Sequence, residues 1–580
     1  MGKQSDEKIW YFYPPHEELN DALSRDLDLH PNIARILTNR GFEKADDVYK
    51  FLYPKLTDLR DPFMLKDMEA AVQRTIDAIV NNEKIVIYGD YDVDGITSIA
   101  LISDILRILG ADFDFYLPNR ITQGYGLSCE GIDNCKAMDA GLLISVDCGI
   151  SSVEEAAYAQ KIGLDLIITD HHEPANELPK CIALLNPKRK DSDYPFKELA
   201  GVGVAFKFAQ GLIHHATERK ILSPNSINIK EMLDLVALGT VADVVPLIDE
   251  NRIFVKYGIK QINKTERIGL KELKAVASVN QDVSSSDIAF KLAPRLNAVG
   301  RLGDARHAVK LLTSEDEQEA FNLATMMEKN NRLRQNIESE IIEEVEELIE
   351  ENGEFQRSKT IIMHSPKWHQ GVIGIVASRI AKHYYKPALI ISSIEGETGK
   401  GSGRSIEEFD LLEGLRQCSD LLDSFGGHRL AAGFQIKMSN FEKFRQHFEK
   451  FASEKLSDEA IQPKIMIDAE VQLPGITPSF VKDLEMLEPF GNGNPRPVFC
   501  TRNVFLTWAP KIVGNNHLKL WFDSKDSVVE GIAFSKGDMI SEMKHKDTPY
   551  DIVFLPRLNY YKNEETIQLF IRDIRPSKGL

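Results

Sequence analysis

Lys84-Ile85-Val86-Ile87-Tyr88-Gly89-Asp90-Tyr91-Asp92-Val93-Asp94-Gly95 is the stretch on which the fold turns. An apolar run rich in β-branched residues stops at three acids in five positions, and a helix-forming segment, Ile96–Leu109, follows. That is a strand, a turn and a helix. The unit recurs: Leu142–Val146 runs into Asp147-Cys148-Gly149 and the helical stretch Ser152–Lys161, and Leu164–Thr169 runs into Asp170-His171-His172. Asp243 ends the apolar stretch Met232–Ala242. Strands alternating with helices of about 10–15 residues predict a parallel sheet with right-handed crossovers.

Outward from this core the chain divides by pattern. Its 580 residues suffice for three or four domains at about 100–200 residues each. Residues 1–75 read as an N-terminal extension wrapped on the next domain, and 76–312 as the first α/β domain. A long helical pattern without Pro or Gly runs over 313–351, and the segment 313–354 is read as a solvated connecting helix that Gly353 caps. A second α/β domain is expected over 355–455. Residues 456–580 alternate short aromatic and β-branched runs, which predicts a small all-β barrel or sandwich.

The net charge of −18 is concentrated. Between Ser314 and Glu354, 14 acids face three bases, whereas Ala289–Lys310 carries Lys291, Arg295, Arg301, Arg306 and Lys310 against Asp304 alone. Charges more than about 10 Å apart are largely screened, so a local basic segment can hold phosphates on an acidic protein. Net charge does not exclude nucleic acid. The six cysteines form no CxxC pair and read as reduced thiols of a cytosolic protein. No stretch approaches the roughly 18 apolar residues that would span a bilayer, which predicts a soluble, cytoplasmic chain.

In an open parallel sheet, ligands gather beyond the carboxyl ends of the strands, where residues distant in sequence converge. Each acid alone reads more readily as a helix N-cap, and the His171-His172 pair as surface or satisfied core. Together they read otherwise. Clustered carboxylates repel unless a cation neutralises them, and carboxylates with imidazoles but no thiolates suit Mn²⁺ or Mg²⁺. Two such ions would activate water for phosphoryl displacement. The stretch Gly396–Ser405 fits neither Walker nor dinucleotide spacing, which argues against a P-loop ATPase; it reads as a flexible hairpin or as a phosphate site using Ser402 and Arg404.

The segments GDYDVDG (89–95), SVDCG (145–149), TDHH (169–172) and GTVADVVPL (239–247) resemble the four motifs of the DHH phosphoesterase superfamily. GGHRLAAG (426–433) resembles the motif of the DHH-associated domain. The resemblance implies two α/β domains, DHH and DHH-associated, joined by a long helix, and a C-terminal oligonucleotide-binding (OB) barrel. It implies that Asp90, Asp92, Asp94, Asp147, His171 and Asp243 are metal ligands, with Asp147 the bridge. Asp90 is also readable as a partner of the ligands. Asp170 would orient a histidine, and His172 would touch the scissile phosphate. Arg120, Arg301, Ser402 and Arg404 would hold a 5′-terminal phosphate, Gly427 and His428 a phosphate near the cleaved bond, and Tyr125 would stack on a base. Arg557, Tyr560, Tyr561 and Lys562 would guide the strand along the barrel.

Relatives that hydrolyse pyrophosphate carry a histidine where this chain has Tyr88, which agrees with the nuclease branch. The implied function is 5′→3′ release of mononucleotides from single-stranded DNA in recombination and repair. The enzyme would be a monomer served by a single-strand-binding protein and a RecQ-type helicase. The alternatives are a phosphodiesterase of short oligonucleotides or cyclic dinucleotides, and a non-catalytic DNA-binding scaffold.

Overall fold

The computed structural model describes residues 8–118, 124, 126–394, 397–525, 527–541, 543, 548–561 and 564–577. Two compact units divide the chain: one comprises residues 1–6, 60–245 and 257–463, the other 7–59, 246–256 and 464–580.

In the first unit, β1 (Ile85–Tyr88), β2 (Phe113–Tyr116), β3 (Leu142–Val146), β4 (Asp165–Thr169) and β5 (Ala183–Leu185) form a wholly parallel sheet in the order β2-β1-β3-β4-β5. Every residue of β1 and β3 is buried, as a sheet covered on both faces demands. Helix α1 (Val93–Ile108) leads from β1 to β2, and the next strand, β3, returns to the other side of β1. The strand order therefore reverses between β1 and β3, and a crevice opens there beyond their carboxyl ends. Helices α2 (Gly201–Glu218) and α3 (Leu233–Ala242) pack against α1.

Helix α4 (Ala293–Leu302) and helix α5 (Glu317–Glu351) follow. Alpha5 is not simply solvated: Ala320, Ala324, Met327, Asn331, Arg334, Glu338, Ile341, Val345 and Ile349 form a buried stripe at helical spacing. Nor does Gly353 cap it. Asn352 closes the helix, and Gly353 begins a short further helix.

The second sheet contains β6 (Ile361–Ser365), β7 (Ala388–Ile394), β8 (Thr398–Arg404), β9 (Leu422–Gly427) and β10 (Ala431–Lys437), in the order β9-β10-β8-β7-β6, with α6 (Ile373–Tyr384) between β6 and β7. It is mixed, with β6 and β7 parallel and the others antiparallel. Of the two readings of the glycine-rich stretch, the flexible hairpin does not hold: Thr398–Arg404 is strand β8. Alternation explains its glycines: Gly399, Gly401 and Gly403 are buried, and a Cβ at Gly401 would collide with Phe434. Lys400, Ser402 and Arg404 occupy the opposite face.

In the second unit a seven-stranded sheet contains Phe499–Val504, His517–Asp523, Val528–Ala533, Tyr550–Tyr561 and Glu564–Pro576 as its longer strands. The region is not all-β, because the helix Pro478–Glu485 packs on it. The N-terminal segment departs from expectation too. Its amphipathic helices bury Leu23, Ile33, Ile36, Leu37, Val48 and Phe51 in one core with Phe480, Leu520 and Phe554, and Ile9–Phe12 pairs with Lys464–Ile467. The expected boundary at 75 falls at Arg60, since the helix Met68–Val80 packs on β5 and α2. No helix among the described residues is long and apolar enough to cross a membrane.

Candidate active site

Asp92 is the N-cap of α1, its Oδ1 accepting from the N–H groups of Asp94 (2.9 Å) and Gly95 (3.2 Å). The cap reading was therefore right for this residue, and it does not exclude another role. A carboxylate has about four acceptor positions, and Asp92 also offers an oxygen to a group of three with Asp90 and Asp147, within 4.8 Å of one another. Asp94, one residue into the helix, accepts from the N–H groups of Gly201 (2.7 Å) and Val202 (2.8 Å) with its two oxygens. It thereby caps the start of α2 and is fixed in orientation.

Asp147, Asp170 and His171 are brought in by the ends of β3 and β4. The backbone of Asp147 lies at φ +59°, and that of Val244, directly after Asp243, at φ +63°. Such conformations cost about 1–3 kcal/mol and persist where the surroundings impose them. Glycines permit the close approach. A Cβ at Gly201 would stand 2.5 Å from Asp147 Oδ1, and one at Gly239 2.9 Å from Asp94 Oδ1.

The centre of the cluster is His171. Its Nε2 lies 3.2 Å from Asp147 Oδ1, 3.6 Å from Asp243 Oδ2 and 3.8 Å from Asp94 Oδ2. Both ring nitrogens are buried, yet neither makes a well-directed hydrogen bond. Asp94, His171 and Asp243 form a second group of three with the same tight spacing, and Asp147, His171 and His172 a third. Asp147 and His171 are each shared by two groups.

Electrostatics point to a cation. Burial, and then Asp92, push Asp94 up to about 7. Burial and the charges of Asp94, Asp92, Asp243 and Asp90 raise Asp147 well above the carboxylate range. Asp243 is raised by burial and then by Asp94 and Asp92. Burial holds His171 down at about 3, so its ring is neutral and able to ligate. A protein carrying this many buried acids around a neutral imidazole pays a desolvation cost that a divalent ion relieves. The donors, carboxylate oxygens and imidazole nitrogens, fit Mn²⁺ or Mg²⁺.

Asp170 serves His172 rather than the central histidine. Its Oδ1 lies 2.7 Å from His172 Nδ1 and accepts from the N–H of His171, while Oδ2 accepts from Ile150 N–H. Burial pulls His172 down, but the bond to Asp170 and the charges of Asp170, Asp94 and Asp92 outweigh it and raise the imidazole above its ordinary value.

Ser402, Arg404 and Arg301 meet at the start of α6. Arg301 Nη1 donates to the carbonyl of Gly371 (3.1 Å), Arg404 Nη1 to the carbonyl of Gly403 (2.8 Å), and a Cβ at Gly374 would lie 3.0 Å from Ser402 Oγ. Two guanidinium groups, a hydroxyl and the positive end of a helix suit a phosphate. Gly427 (φ +140°) and exposed His428 form the turn between β9 and β10, beside Arg404 through the pairing of Ala431 with it. Arg557 stacks on Phe570 at 4.4 Å. Arg120, Tyr125, Lys562 and the side chains of Tyr560 and Tyr561 lie outside the described residues.

Sequence reasoning missed Gly201, Gly239 and Gly300 as residues that let the backbone approach the site, and gave no role to His369. It also assigned His172 to phosphate alone, although a ring nitrogen lies within ligand distance of the cluster. Glycine-rich spelling around each motif was the available signal.

Fold and cluster together define a phosphoesterase of the DHH class. Profiles of the DHH family N-terminal domain, the DHHA1 domain and the RecJ OB domain match residues 84–240, 358–454 and 467–573. The chain is similar to the single-stranded-DNA-specific exonuclease RecJ of Bacillus subtilis, at 39% identity over 573 residues covering 98% of this chain and 71% of that one. It is 33% identical to the RecJ of Escherichia coli over 577 residues, 96% and 98% of the two chains. The crystal structure of Thermus thermophilus RecJ with Mn²⁺ superposes with a TM-score of 0.84 at 29% identity, covering 100% of this chain and 81% of that one. The same protein with Mg²⁺ gives 0.76. The chain belongs to the RecJ family.

Proposed function

We propose that this chain is a metal-dependent exonuclease that degrades single-stranded DNA from the 5′ end, releasing mononucleotides in recombination and repair. The observation that carries the reading is the meeting of Asp90, Asp92, Asp94, Asp147, His171 and Asp243 at the sheet's switch point, in a chain that shares nearly its whole length with RecJ exonucleases. Asp90, Asp92, Asp94, Asp147, His171 and Asp243 would hold divalent cations, Mn²⁺ or Mg²⁺, which would supply an activated water and neutralise charge on the phosphoryl group.

The chain's own groups do the rest. Asp170 takes up Nδ1 of His172, which leaves Nε2 as the nitrogen that reaches a phosphate oxygen, and the raised pKa favours the donating form. Arg301, Ser402 and Arg404 bind the 5′-terminal phosphate and set the distance from the chain end to the scissile bond. Polarity follows from that fixed distance. His428 contacts a phosphate near the cleaved bond, and the barrel guides the incoming strand through Arg557. A monomer working with a single-strand-binding protein and a helicase fits this task.

Digestion of 5′- and 3′-labelled single strands and duplexes, with and without Mn²⁺, tests the reading. Mononucleotides should appear first from the 5′ label of single strands, and only with metal. Preferred turnover of dinucleotides would favour the short-oligonucleotide alternative, and DNA binding without any product the scaffold.

A further inference from the structure

We propose that His369 is a positioning residue for substrate specificity: it holds the turn on which Arg301 is set, and through Arg301 it sharpens recognition of the terminal phosphate. The inference rests on the reading of Arg301, Ser402 and Arg404 as the phosphate pocket.

His369 lies in the segment that joins β6 to α6. The preceding residue is immobilised: Trp368 is buried, its Nε1 donates to Glu344 of α5 (2.9 Å), and its carbonyl accepts from Ser392 Oγ (2.7 Å). His369 Nδ1 then accepts a hydrogen bond from the N–H of Gly371 (3.1 Å). An accepting Nδ1 carries no proton, so the ring is the neutral tautomer with its hydrogen on Nε2. Burial lowers the pKa of His369 and favours this form at neutral pH.

Gly371 is gripped on its other sides by Arg301. Its carbonyl accepts from Arg301 Nη1 (3.1 Å), and the carbonyl of Arg301 stands 2.5 Å from where a Cβ on Gly371 would be. One turn further on, Gly374 abuts Ser402 and Arg404. The short peptide 369–374 therefore joins Arg301, on the first α/β domain, to the two phosphate-binding side chains of β8. A guanidinium has five donors in a fixed plane, so the bond to Gly371 aims the plane without exhausting it. If the acceptor at position 369 is lost, the N–H of Gly371 turns to water, the carbonyl on the same residue moves, and Arg301 loses its aim. One neutral hydrogen bond is a small part of the stability of the fold, but it decides where a charged group points.

Asparagine offers Oδ1 the same number of bonds from Cα as Nδ1 of histidine, and accepts from the N–H two residues on in an Asx turn. Phenylalanine keeps the ring but no acceptor. The measurement is the ratio of kcat/KM on 5′-phosphorylated and 5′-hydroxyl single-stranded oligonucleotides, for the wild type, His369→Phe, His369→Asn and Arg404→Ala. Taken within each variant, the ratio is insensitive to any general loss of folded enzyme. His369→Phe should lower it about tenfold, chiefly through KM for the phosphorylated strand, and His369→Asn should restore most of it. A wild type that ignores the terminal phosphate would overturn the pocket reading and this inference with it. A wild type that discriminates and loses this in Arg404→Ala, while His369→Phe keeps it or His369→Asn fares no better than His369→Phe, would overturn this inference alone.

Discussion

The carbonyl oxygen of Tyr91 packs against Gly300, 2.7 Å from where a Cβ would stand. Tyr91 separates Asp90 from Asp92, and Gly300 precedes Arg301. Two backbones in direct contact thus lock the acidic loop and Arg301 at one spacing. Gly300→Ala should force them apart and lower kcat by about 10–100-fold, since misplacement near 1 Å is that costly. Unfolding free energy should fall by the modest amount that overpacking costs, about 1–3 kcal/mol. An alanine variant with wild-type kcat would show that the spacing does not govern turnover.

Asp94 has two tasks, so its variants should separate them. Asp94→Ala is expected to abolish cleavage and also to destabilise by about 1–2 kcal/mol, because the N–H groups of Gly201 and Val202 lose their cap. Asp94→Asn keeps an acceptor for one of them. It should be as inactive but melt closer to the wild type.

Metal should stabilise the folded chain by mass action. At a concentration a hundredfold above Kd the gain is about 2.7 kcal/mol. Scanning calorimetry with and without Mn²⁺ should show a rise in Tm that shrinks sharply in Asp147→Asn. In chelator the same variant should melt no lower than the wild type, since it removes one member of a repelling set. Equal Mn²⁺-induced shifts in both proteins would remove Asp147 from the ligand set.

Without metal, stability should depend on pH in an unusual sense. Asp94 is raised to about 7 in the folded chain from an ordinary 3.8, so between those values the folded state binds more protons than the unfolded state. Asp147 and Asp243, also raised, add to this, while His171, lowered to about 3 from 6.5, opposes it; three acids outweigh one imidazole, so stability in chelator should fall as pH rises from about 4 to 7. Mn²⁺ should flatten the slope, because the ion replaces the proton. Urea titrations at pH 5 and 7, with chelator and with Mn²⁺, measure it; a metal-free protein more stable at pH 7 would contradict the placement of these acids.

Arg404→Ala should raise KM for 5′-phosphorylated strands by about 10–100-fold, the worth of one charge-assisted contact, with a smaller effect on kcat. Arg404→Lys should recover charge but not the planar fork, and fall between the two.

Much of this was legible beforehand. Strands β1, β3 and β4 are short runs of Val, Ile and Leu broken by acids, and that period depends on local chemistry alone. The acids at their ends were equally plain: Asp90, Asp92, Asp94 and Asp147 meet, with Asp243 and the two histidines, in the groups that could hold a metal, and Asp170 stands against His172. Strand β8 was harder. Four glycines in eight residues look like a loop until Phe434 and Leu411 are seen to occupy the space that side chains at Gly401 and Gly403 would need. The N-terminal helices were misplaced for a related reason: an amphipathic face announces that it will be buried, not against what.

Local pattern was enough for the alternation of elements, the long connecting helix, the β-rich end and the acidic residues that follow the strands, because each depends on neighbours along the chain. The tertiary structure alone decided that Asp92, already readable as a cap, also joins the cluster, that Asp94 caps a second helix, that Asp170 orients His172, and that Arg301 reaches Gly371. Those contacts join residues far apart in the chain, or turn on which of two nearby groups a side chain meets. They exist only once packed surfaces set the final spacing, and no local pattern encodes that spacing.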